Sequence, residues 1–277
     1  MQAATAPQQI TRGEFQAISR LLHEHTGIRL VPGKEMLVMG RLDKRLRQLG
    51  LSTYRAYLSL LRQPEGRAEL GTAVDLLTTN ETFFFREERH FEFLRQVVVL
   101  GHREPRPLRL WSAACSSGEE AYTAAMVAAD AKPHLDWEIV GTDISSRMVA
   151  TAQRGIYPLA AAERIPAALL RRYCRKGHGE CEGMMAVNGD LRKRVTFRQA
   201  NLLGNLRELG RFDLIFLRNV MIYFDLETKR ALVPRLADML YPCGHLVVSL
   251  SETLNGIRSG LRLVGPSVYR REGGRHE

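Results

Sequence analysis

Residues 110–122 read LWSAACSSGEEAY, and this stretch decides the fold. Its apolar start is typical of a buried strand, and the residues after Gly118 have the composition of a helix. The residues between them, 113–118, are small, so the backbone can approach a ligand closely. The stretch therefore predicts a strand, a tight turn and a helix that together form a ligand site.

The chemistry of this turn differs from that of a dinucleotide site. A dinucleotide places its pyrophosphate at the positive end of the helix, but the G-x-G-x-x-G pattern is missing and two carboxylates, Glu119 and Glu120, would repel a diphosphate. A cofactor without phosphate, such as S-adenosylmethionine, fits better. Both glutamates are also ordinary residues for a first helical turn, so the turn alone leaves the two interpretations open.

The chain around this turn alternates between strands and helices. Strands are expected at 108–112, 137–141, 195–199, 212–217 and 245–250, and helices at 118–129, 145–154 and 226–240. Apolar strands separated by amphipathic helices indicate an α/β fold, a doubly wound and mostly parallel sheet covered on both faces. Ligands bind such sheets at the carboxyl ends of the strands.

Two regions depart from this alternation. Residues 1–77 read as an all-helical domain: Thr11 and Glu14 form a capping box, and Gly27 ends the first helix. Residues 78–277 form the predicted cofactor-binding catalytic domain. Within it, residues 155–194 begin with a helical stretch (163–173) and continue with glycines between short basic pieces, which predicts a small β-rich insertion.

Composition and charge set the class of protein. With 277 residues and 45% apolar content, the chain can bury a core. It contains no stretch of about 18 apolar residues and no signal-like start, so we expect a cytoplasmic protein. The four cysteines form no C-x-x-C pair, which suits a reducing compartment. Cys174, His178 and Cys181 lack an evident fourth ligand, so no metal is expected.

The net charge of +10 is unevenly distributed. Residues 154–198 contain ten Lys or Arg and four acidic residues. The second predicted helix adds a basic face made of Arg41, Lys44, Arg45 and Arg47. An acidic partner is implied, although charge alone does not separate nucleic acid, a membrane and an acidic protein, and a basic helix face can also be simply solvated.

Polar residues follow several of the predicted strands. Asp143 comes after the second strand, where an acid commonly accepts hydrogen bonds from a ribose; a helix N-cap is the competing role. Asn201 follows a later strand, and Arg218 and Asn219 follow the next. These side chains are expected to share one crevice.

The segment TTNETFFFRE, residues 78–87, contains three consecutive phenylalanines surrounded by Asn80, Thr82 and Arg86. Three adjacent rings cannot share one helix face. The segment is either a buried aromatic turn with a capping asparagine, or a lid that excludes water while Arg86 binds a carboxylate.

Six motifs in this order resemble the CheR family of chemoreceptor glutamate O-methyltransferases. They are TTNETFFFRE, LWSAACSSGEEAYTAAM, GTDIS, GIY, QANLL and FDLIFLRNVMIYF, and they cover nearly the whole chain. The resemblance implies methyl transfer from S-adenosylmethionine, with S-adenosylhomocysteine as product, to glutamates on the cytoplasmic helices of chemoreceptors. One departure is Leu217, where the family often has cysteine.

The resemblance also implies roles for individual residues. Asn80, Thr82 and Arg86 would hold the amino-acid end of the cofactor. Glu120 would belong to the cofactor turn, Asp143 would bind the ribose, and Tyr223 would lie near the methyl group. Four more residues would line the adenine and methionine portions: Asn201, Leu202, Arg218 and Asn219.

The insertion carries a further likeness. Gly177, Gly179 and Gly183 reproduce a G-x-G-x-x-x-G loop of family members that bind the C-terminal pentapeptide of a receptor. An exposed sheet edge could add an extended tail as a strand. A flexible hairpin without a partner is the alternative.

Three other functions were weighed against this one. A nucleic-acid methyltransferase would use the basic charge for phosphates, but no N-P-P-[YF] motif is present. A non-catalytic adaptor that senses S-adenosylmethionine would not need the intact motifs. A nicotinamide-dependent dehydrogenase is disfavoured by the missing glycine fingerprint.

Overall fold

The computed structural model describes residues 8–273. Residues 1–7 and 274–277, which the predicted domains include, lie outside this range. The N-terminal helices are α1 (Arg12–Thr26), α2 (Glu35–Gln48), α3 (Tyr54–Leu61) and α4 (Arg67–Leu77). The predicted capping box of Thr11 and Glu14 is present, and Gly27, with φ of 73°, caps the end of α1. Both sequence predictions are therefore confirmed.

The rest of the chain follows the predicted alternation. In chain order its elements are α5 (Glu88–Phe93), a π-helical turn (Leu94–Val99), β1 (Leu108–Ser112), α6 (Glu119–Ala131), β2 (Trp137–Asp143), α7 (Ser146–Arg154), β3 (Ile156–Pro158), α8 (Ala167–Tyr173), β4 (Cys174–Lys176), β5 (Met184–Val187), α9 (Gly189–Arg192), β6 (Val195–Gln199), β7 (Phe212–Leu217), α10 (Leu226–Asp238), β8 (Leu240–Val248), β9 (Leu261–Gly265) and β10 (Val268–Arg271).

The main sheet has the strand order β6-β2-β1-β7-β8-β10-β9. The first five strands are parallel, whereas β10 pairs antiparallel with β8 and β9. The order reverses at β1, so the carboxyl ends of β1, β2 and β7 border one crevice. This is the predicted doubly wound, mostly parallel sheet.

Side chains cover both faces of this sheet. One apolar cluster joins Phe91, Leu110 and Phe216 to α6, and a second joins Trp111 and Leu217 to α10. Leu217 is fully buried, as expected for an apolar residue on a central strand. A third cluster holds α1 to α4 together. Each layer therefore has its own core.

Several elements differ from the sequence prediction. The predicted helix 163–173 is a 3₁₀ turn (Leu159–Arg164) followed by α8, because Pro166 lacks an amide and begins a new helix. Strand β8 starts five residues before the predicted 245, and β9 and β10 were not predicted. The side chains of β9 are half-buried or exposed, so this strand lacks the apolar alternation that reveals a buried one.

The N-terminal helices contact the α/β domain through the segment after α1. Ile28 forms a β-bridge with Phe224, and the amide of Arg29 donates to the carbonyl of Tyr223 at 2.9 Å. His23 Nε2 lies 2.9 Å from Asp225 Oδ2. The segment bearing Tyr223 is thus held by the helical domain. In the part of the chain that the structure describes, no helix is both long and apolar enough to cross a membrane.

Candidate active site

A cavity of about 360 Å³ opens at the carboxyl ends of β1, β2 and β7. It lies between the helical domain and the sheet, and its volume is in the range of small-molecule sites. All ten residues predicted for catalysis or cofactor binding line it: Asn80, Thr82, Arg86, Glu120, Asp143, Asn201, Leu202, Arg218, Asn219 and Tyr223. The structure brings them together, and their individual roles stay predictions.

The turn after β1 is built around Asp143. Its carboxylate accepts the amides of Ser116 (2.8 Å) and Ser145 (2.9 Å). Burial raises the pKa of Asp143 above its ordinary value, although these amide hydrogen bonds oppose the shift. Ser145 is the N-cap of α7, since its hydroxyl accepts the amide of Met148. The N-cap alternative for Asp143 is therefore wrong.

The turn after β1 also binds the segment that carries Asn80. The hydroxyl of Ser116 donates to the carbonyl of Asn80 at 2.9 Å. Gly118 has φ of 98°, and a Cβ there would lie 2.8 Å from that of Ala152. A side chain at Gly118 is therefore excluded by both backbone conformation and space.

The two glutamates of the turn have different environments. Glu120 accepts the hydroxyl of Ser112 and the guanidinium of Arg218, both at 2.7 Å. Glu119 instead accepts the hydroxyl of Ser117, and burial raises the pKa of Glu119. Only Glu120 lines the cavity. Both residues lie in the first turn of α6, so the helix interpretation applies to both, and the ligand interpretation stays a prediction for Glu120.

Arg218 is the centre of a buried charge network. Its side chain is 1% exposed, and its guanidinium contacts Glu120, Glu87 and the carbonyl of Arg86. Its Nε has no hydrogen-bond partner within residues 8–273. Glu87 also accepts the amide of Leu250 at 3.2 Å. Arg218 therefore holds the segment that carries Arg86 against the ends of β1 and β7.

The charge of Glu87 makes stability depend on pH. Burial alone would raise its pKa, but contacts with His90, Arg218 and the Leu250 amide outweigh burial and lower the pKa to about 2. The pKa of Glu87 is about 4.3 in the unfolded chain. Ionised Glu87 therefore stabilises the fold above about pH 4.3, and this stabilisation is lost as the pH falls towards 2.

We expect the difference in unfolding free energy between wild type and Glu87→Gln to shrink by about 3 kcal/mol between about pH 6 and pH 2. Denaturant unfolding at several pH values measures this, and a constant difference would contradict it.

The aromatic segment is a packed turn. Phe84 is buried with its ring 5.0 Å from that of Tyr157, and Phe85, with φ of 58°, packs on Phe91. Arg86 lies over the ring of Phe83 and donates to the carbonyl of Glu81 at 2.8 Å. None of the three rings lines the cavity. This geometry agrees with the buried aromatic turn rather than with a lid.

The basic face of α2 divides into two pairs. Arg45 binds the buried carboxylate of Glu69, and Arg41 reaches towards the catalytic domain. Lys44 and Arg47 are exposed. The sequence showed four similar charges but not their different partners, because Glu69 is 24 residues away from Arg45.

Arg41 shapes the cavity from the helical side. Its guanidinium donates to the carbonyls of Leu77 (2.6 Å) and Thr78 (3.1 Å) and to the hydroxyl of Thr79 (3.0 Å). These residues lead directly into Asn80, and Arg41 itself lines the cavity. The sequence pattern predicted that Arg41 lies either on a solvated face or on a docking surface, and it did not reveal these contacts.

Replacing Arg41 with alanine is therefore expected to weaken binding of S-adenosylhomocysteine by about tenfold, because the segment that leads into Asn80 loses its hydrogen bonds to the guanidinium. A tenfold loss of affinity corresponds to about one charge-assisted hydrogen bond. Arg47→Ala is the matched control on the same helix and should leave affinity unchanged. Calorimetric titration of both variants measures the difference. Unchanged affinity in Arg41→Ala, with only the acceptor KM raised, would support the docking surface instead.

The predicted β-rich insertion is present as a three-stranded antiparallel sheet of order β3-β5-β4. The loop that contains Gly177, Gly179 and Gly183 connects β4 to β5. Gly179 and Gly183 have φ of 59° and 79°, and a Cβ on Gly177 would lie 2.0 Å from the carbonyl oxygen of Cys181. A side chain at position 177 is thus excluded by space, and the backbone conformation favours glycine at positions 179 and 183.

Cys174 is buried in this sheet, whereas His178 and Cys181 are exposed. Within residues 8–273 no group of three or more His, Cys, Asp or Glu side chains is arranged to hold a metal ion. Arg175 and Lys176 lie on the outer strand β4 and are exposed.

Comparison with known proteins agrees with this geometry. The family model described as CheR methyltransferase, SAM binding domain, matches residues 80–269, and that of the CheR methyltransferase all-alpha domain matches residues 13–78. The chain belongs to the CheR methyltransferase family. The CheR cofactor is S-adenosylmethionine, so the dehydrogenase alternative is wrong.

Relatives match nearly the full length. Chemotaxis protein methyltransferase 2 of Pseudomonas aeruginosa is 40% identical over 94% of this chain and 93% of its own. The chemotaxis protein methyltransferase of Salmonella typhimurium is 37% identical over 94% of this chain and 90% of its own. The Escherichia coli enzyme of the same name is 36% identical, with 94% and 91% covered.

The cavity residues fit this cofactor. Its cationic ammonium and sulfonium groups suit a cavity that contains the carboxylates of Asp143 and Glu120. Its carboxylate needs a cation, and Arg86 borders the same space. Two acidic groups would be unfavourable beside a pyrophosphate. The residues therefore match a phosphate-free ligand that carries two cationic groups and one carboxylate.

Proposed function

We propose that this CheR-family enzyme methylates glutamate side chains on the cytoplasmic helices of chemoreceptors and forms glutamyl methyl esters. The observation that carries the proposal is the cavity itself. Asp143 and Glu120 line it beside the ends of β2 and β1, together with Arg86 and Arg218, and Arg29 and Lys34 line it from the helical domain. A cationic cofactor can thus occupy one end while an anionic acceptor enters from the other.

The reaction needs little from the protein beyond alignment. S-adenosylmethionine supplies a methyl group on a sulfonium, which is already a good leaving group. A glutamate side chain has an ordinary pKa of about 4.3, so the acceptor is ionised at neutral pH and no general base is required. This agrees with the cavity lining that residues 8–273 provide, which includes no histidine or cysteine.

The chain's own residues then have four tasks. Asp143 and the turn after β1 hold the ribose, and Asn80, Thr82 and Arg86 hold the amino-acid end. Asn201, Leu202, Arg218 and Asn219 enclose the remaining parts. Tyr223 packs beside the methyl group and keeps water out. Correct alignment of this kind can lower a barrier by about 7 kcal/mol or more.

The partner surface is proposed on charge. Lys44 and Arg47 on α2, and Arg175 and Lys176 on β4, are exposed cations. Acidic receptor helices would be attracted to them and oriented. The open edge of β4, beside the loop of Gly177, Gly179 and Gly183, offers unpaired backbone groups to a receptor tail.

Incubation with methyl-labelled S-adenosylmethionine and receptor cytoplasmic fragments, with and without their C-terminal tails, tests the proposal. We expect label on the fragments that mild alkali releases as methanol, because esters hydrolyse there. Label in RNA or alkali-stable label would contradict the assignment, and cofactor binding without transfer to any acceptor would favour the adaptor. Equal rates with and without the tail would remove the tethering part alone.

Methylation is expected to depend on ionic strength. Raising salt from about 0.05 M to about 0.5 M shortens the screening length, so kcat/KM for a receptor fragment should fall by about tenfold. In a Lys44→Ala, Arg47→Ala double variant the slope should be flatter, while Arg207→Ala, an exposed cation on another element, serves as control. A salt-independent wild-type rate would contradict the electrostatic role.

A further inference from the structure

The segment that follows β8, residues 249–253, lies against the turn that carries Asn219 and Tyr223. Its Glu252 carboxylate accepts three backbone amides. Oε2 accepts those of Asn219 and Ser249, both at 3.0 Å, and Oε1 accepts that of Ile222 at 3.1 Å. The sequence motifs did not include this residue.

Two of these amides belong to the turn after β7. Asn219 has φ of 56°, a left-handed conformation that asparagine adopts more readily than most residues with a side chain. Ile222 lies in the 3₁₀ turn Met221–Tyr223. Glu252 therefore binds two amides of the turn after β7 and ties them to the end of β8.

The opposite side of the turn is also held. The amide of Arg29 donates to the carbonyl of Tyr223, and Ile28 pairs with Phe224. The ring of Tyr223 is partly buried, packs against the apolar cluster that joins Leu217 to α10, and lines the cavity. Its place therefore depends on the backbone of the turn as well as on this packing.

We propose that Glu252 is a positioning residue for methyl transfer, which it supports by fixing Asn219 and Tyr223 relative to the cofactor cavity. The role requires a carboxylate. Only an ionised acid offers two acceptor oxygens, whereas the amide of a glutamine would turn an NH₂ group towards one of the three donors. This inference rests on the proposed function of Tyr223 and Asn219.

The first test measures backbone protection and needs no acceptor. Hydrogen exchange, followed by mass spectrometry, is compared among wild type, Glu252→Gln and Glu227→Gln, an exposed glutamate in the first turn of α10. We expect peptides covering 218–224 to exchange at least about tenfold faster in Glu252→Gln only, with those of β1 and β2 unchanged. Unchanged exchange at 218–224, or faster exchange everywhere, would overturn the proposal.

The second test is a double-mutant cycle on methylation. Glu252→Gln should lower kcat/KM by about 10- to 100-fold in the wild-type background but by much less in Tyr223→Ala, because the residue whose position it controls is already gone. An equal loss in both backgrounds would overturn the positioning role. Were no receptor methylated by wild type, the proposed function would fail while the exchange result still decided the contacts of Glu252.

Discussion

Arg218→Met is expected to lower the free energy of unfolding by about 3 kcal/mol or more, because it removes the cation from two largely buried carboxylates. Glu120 and Glu87 are 13% and 17% exposed in their pairs with Arg218. Methionine can keep apolar contact with Phe91 and Phe216, over whose rings the guanidinium lies. The loss would therefore report the charge rather than the packing.

The same variant should lose S-adenosylhomocysteine binding at temperatures where it is still folded. Arg218 fixes both the carboxylate of Glu120 and the carbonyl of Arg86, so both sides of the cavity lose a constraint. Denaturant unfolding and calorimetric titration measure the two effects. Arg211→Met, at an exposed arginine next to β7, is the matched control and should change stability by less than about 0.5 kcal/mol. An Arg218→Met protein as stable as the control would show that the network contributes little.

Arg86→Ala is expected to weaken S-adenosylhomocysteine binding by about 30-fold or more and to reduce turnover as well. Removing the cation from a buried charge pair costs about 2 to 5 kcal/mol, since the ligand carboxylate is left without a partner. The guanidinium borders the cavity beside Asn80 and Thr82, and it is held by the carbonyl of Glu81 and the ring of Phe83. It is therefore already ordered before a ligand arrives.

Methylthioadenosine, which has the adenosine but not the amino-acid end, separates this role from a general disturbance. Its affinity for Arg86→Ala should equal that for wild type. Arg89→Ala, at an exposed arginine three residues further along the chain, should bind both ligands normally. Equal losses for both ligands, or no loss of affinity and turnover, would contradict a carboxylate-binding role for Arg86.

The sequence predicted the main features of the fold because they depend on local pattern. Apolar strands such as β1 and β7 and the cap signals at Thr11 and Gly27 are readable over a few residues. The site followed from one rule, that parallel strands end at a shared edge, which brought Asp143, Asn201 and Arg218 together. No contact between them had to be known.

The features that the sequence did not predict depend on contacts between residues far apart in the chain. Glu252 acts on amides up to 33 residues away, and Arg41 acts on carbonyls 36 and 37 residues away. A side chain that binds backbone leaves no complementary residue type in the sequence, so no pattern points to it. The resemblance to CheR proteins predicted which residues bind the cofactor. It did not predict the residues, such as Arg41 and Glu252, that fix the segments carrying them.

A crystal structure of the protein with S-adenosylhomocysteine tests most directly whether the cofactor lies across the ends of β1, β2 and β7. The account predicts ribose hydroxyls on Asp143, the amino-acid end among Asn80, Thr82 and Arg86, and the sulfur facing the space beside Tyr223. Density for the ligand elsewhere, or with its sulfur turned away from Tyr223, would contradict the account.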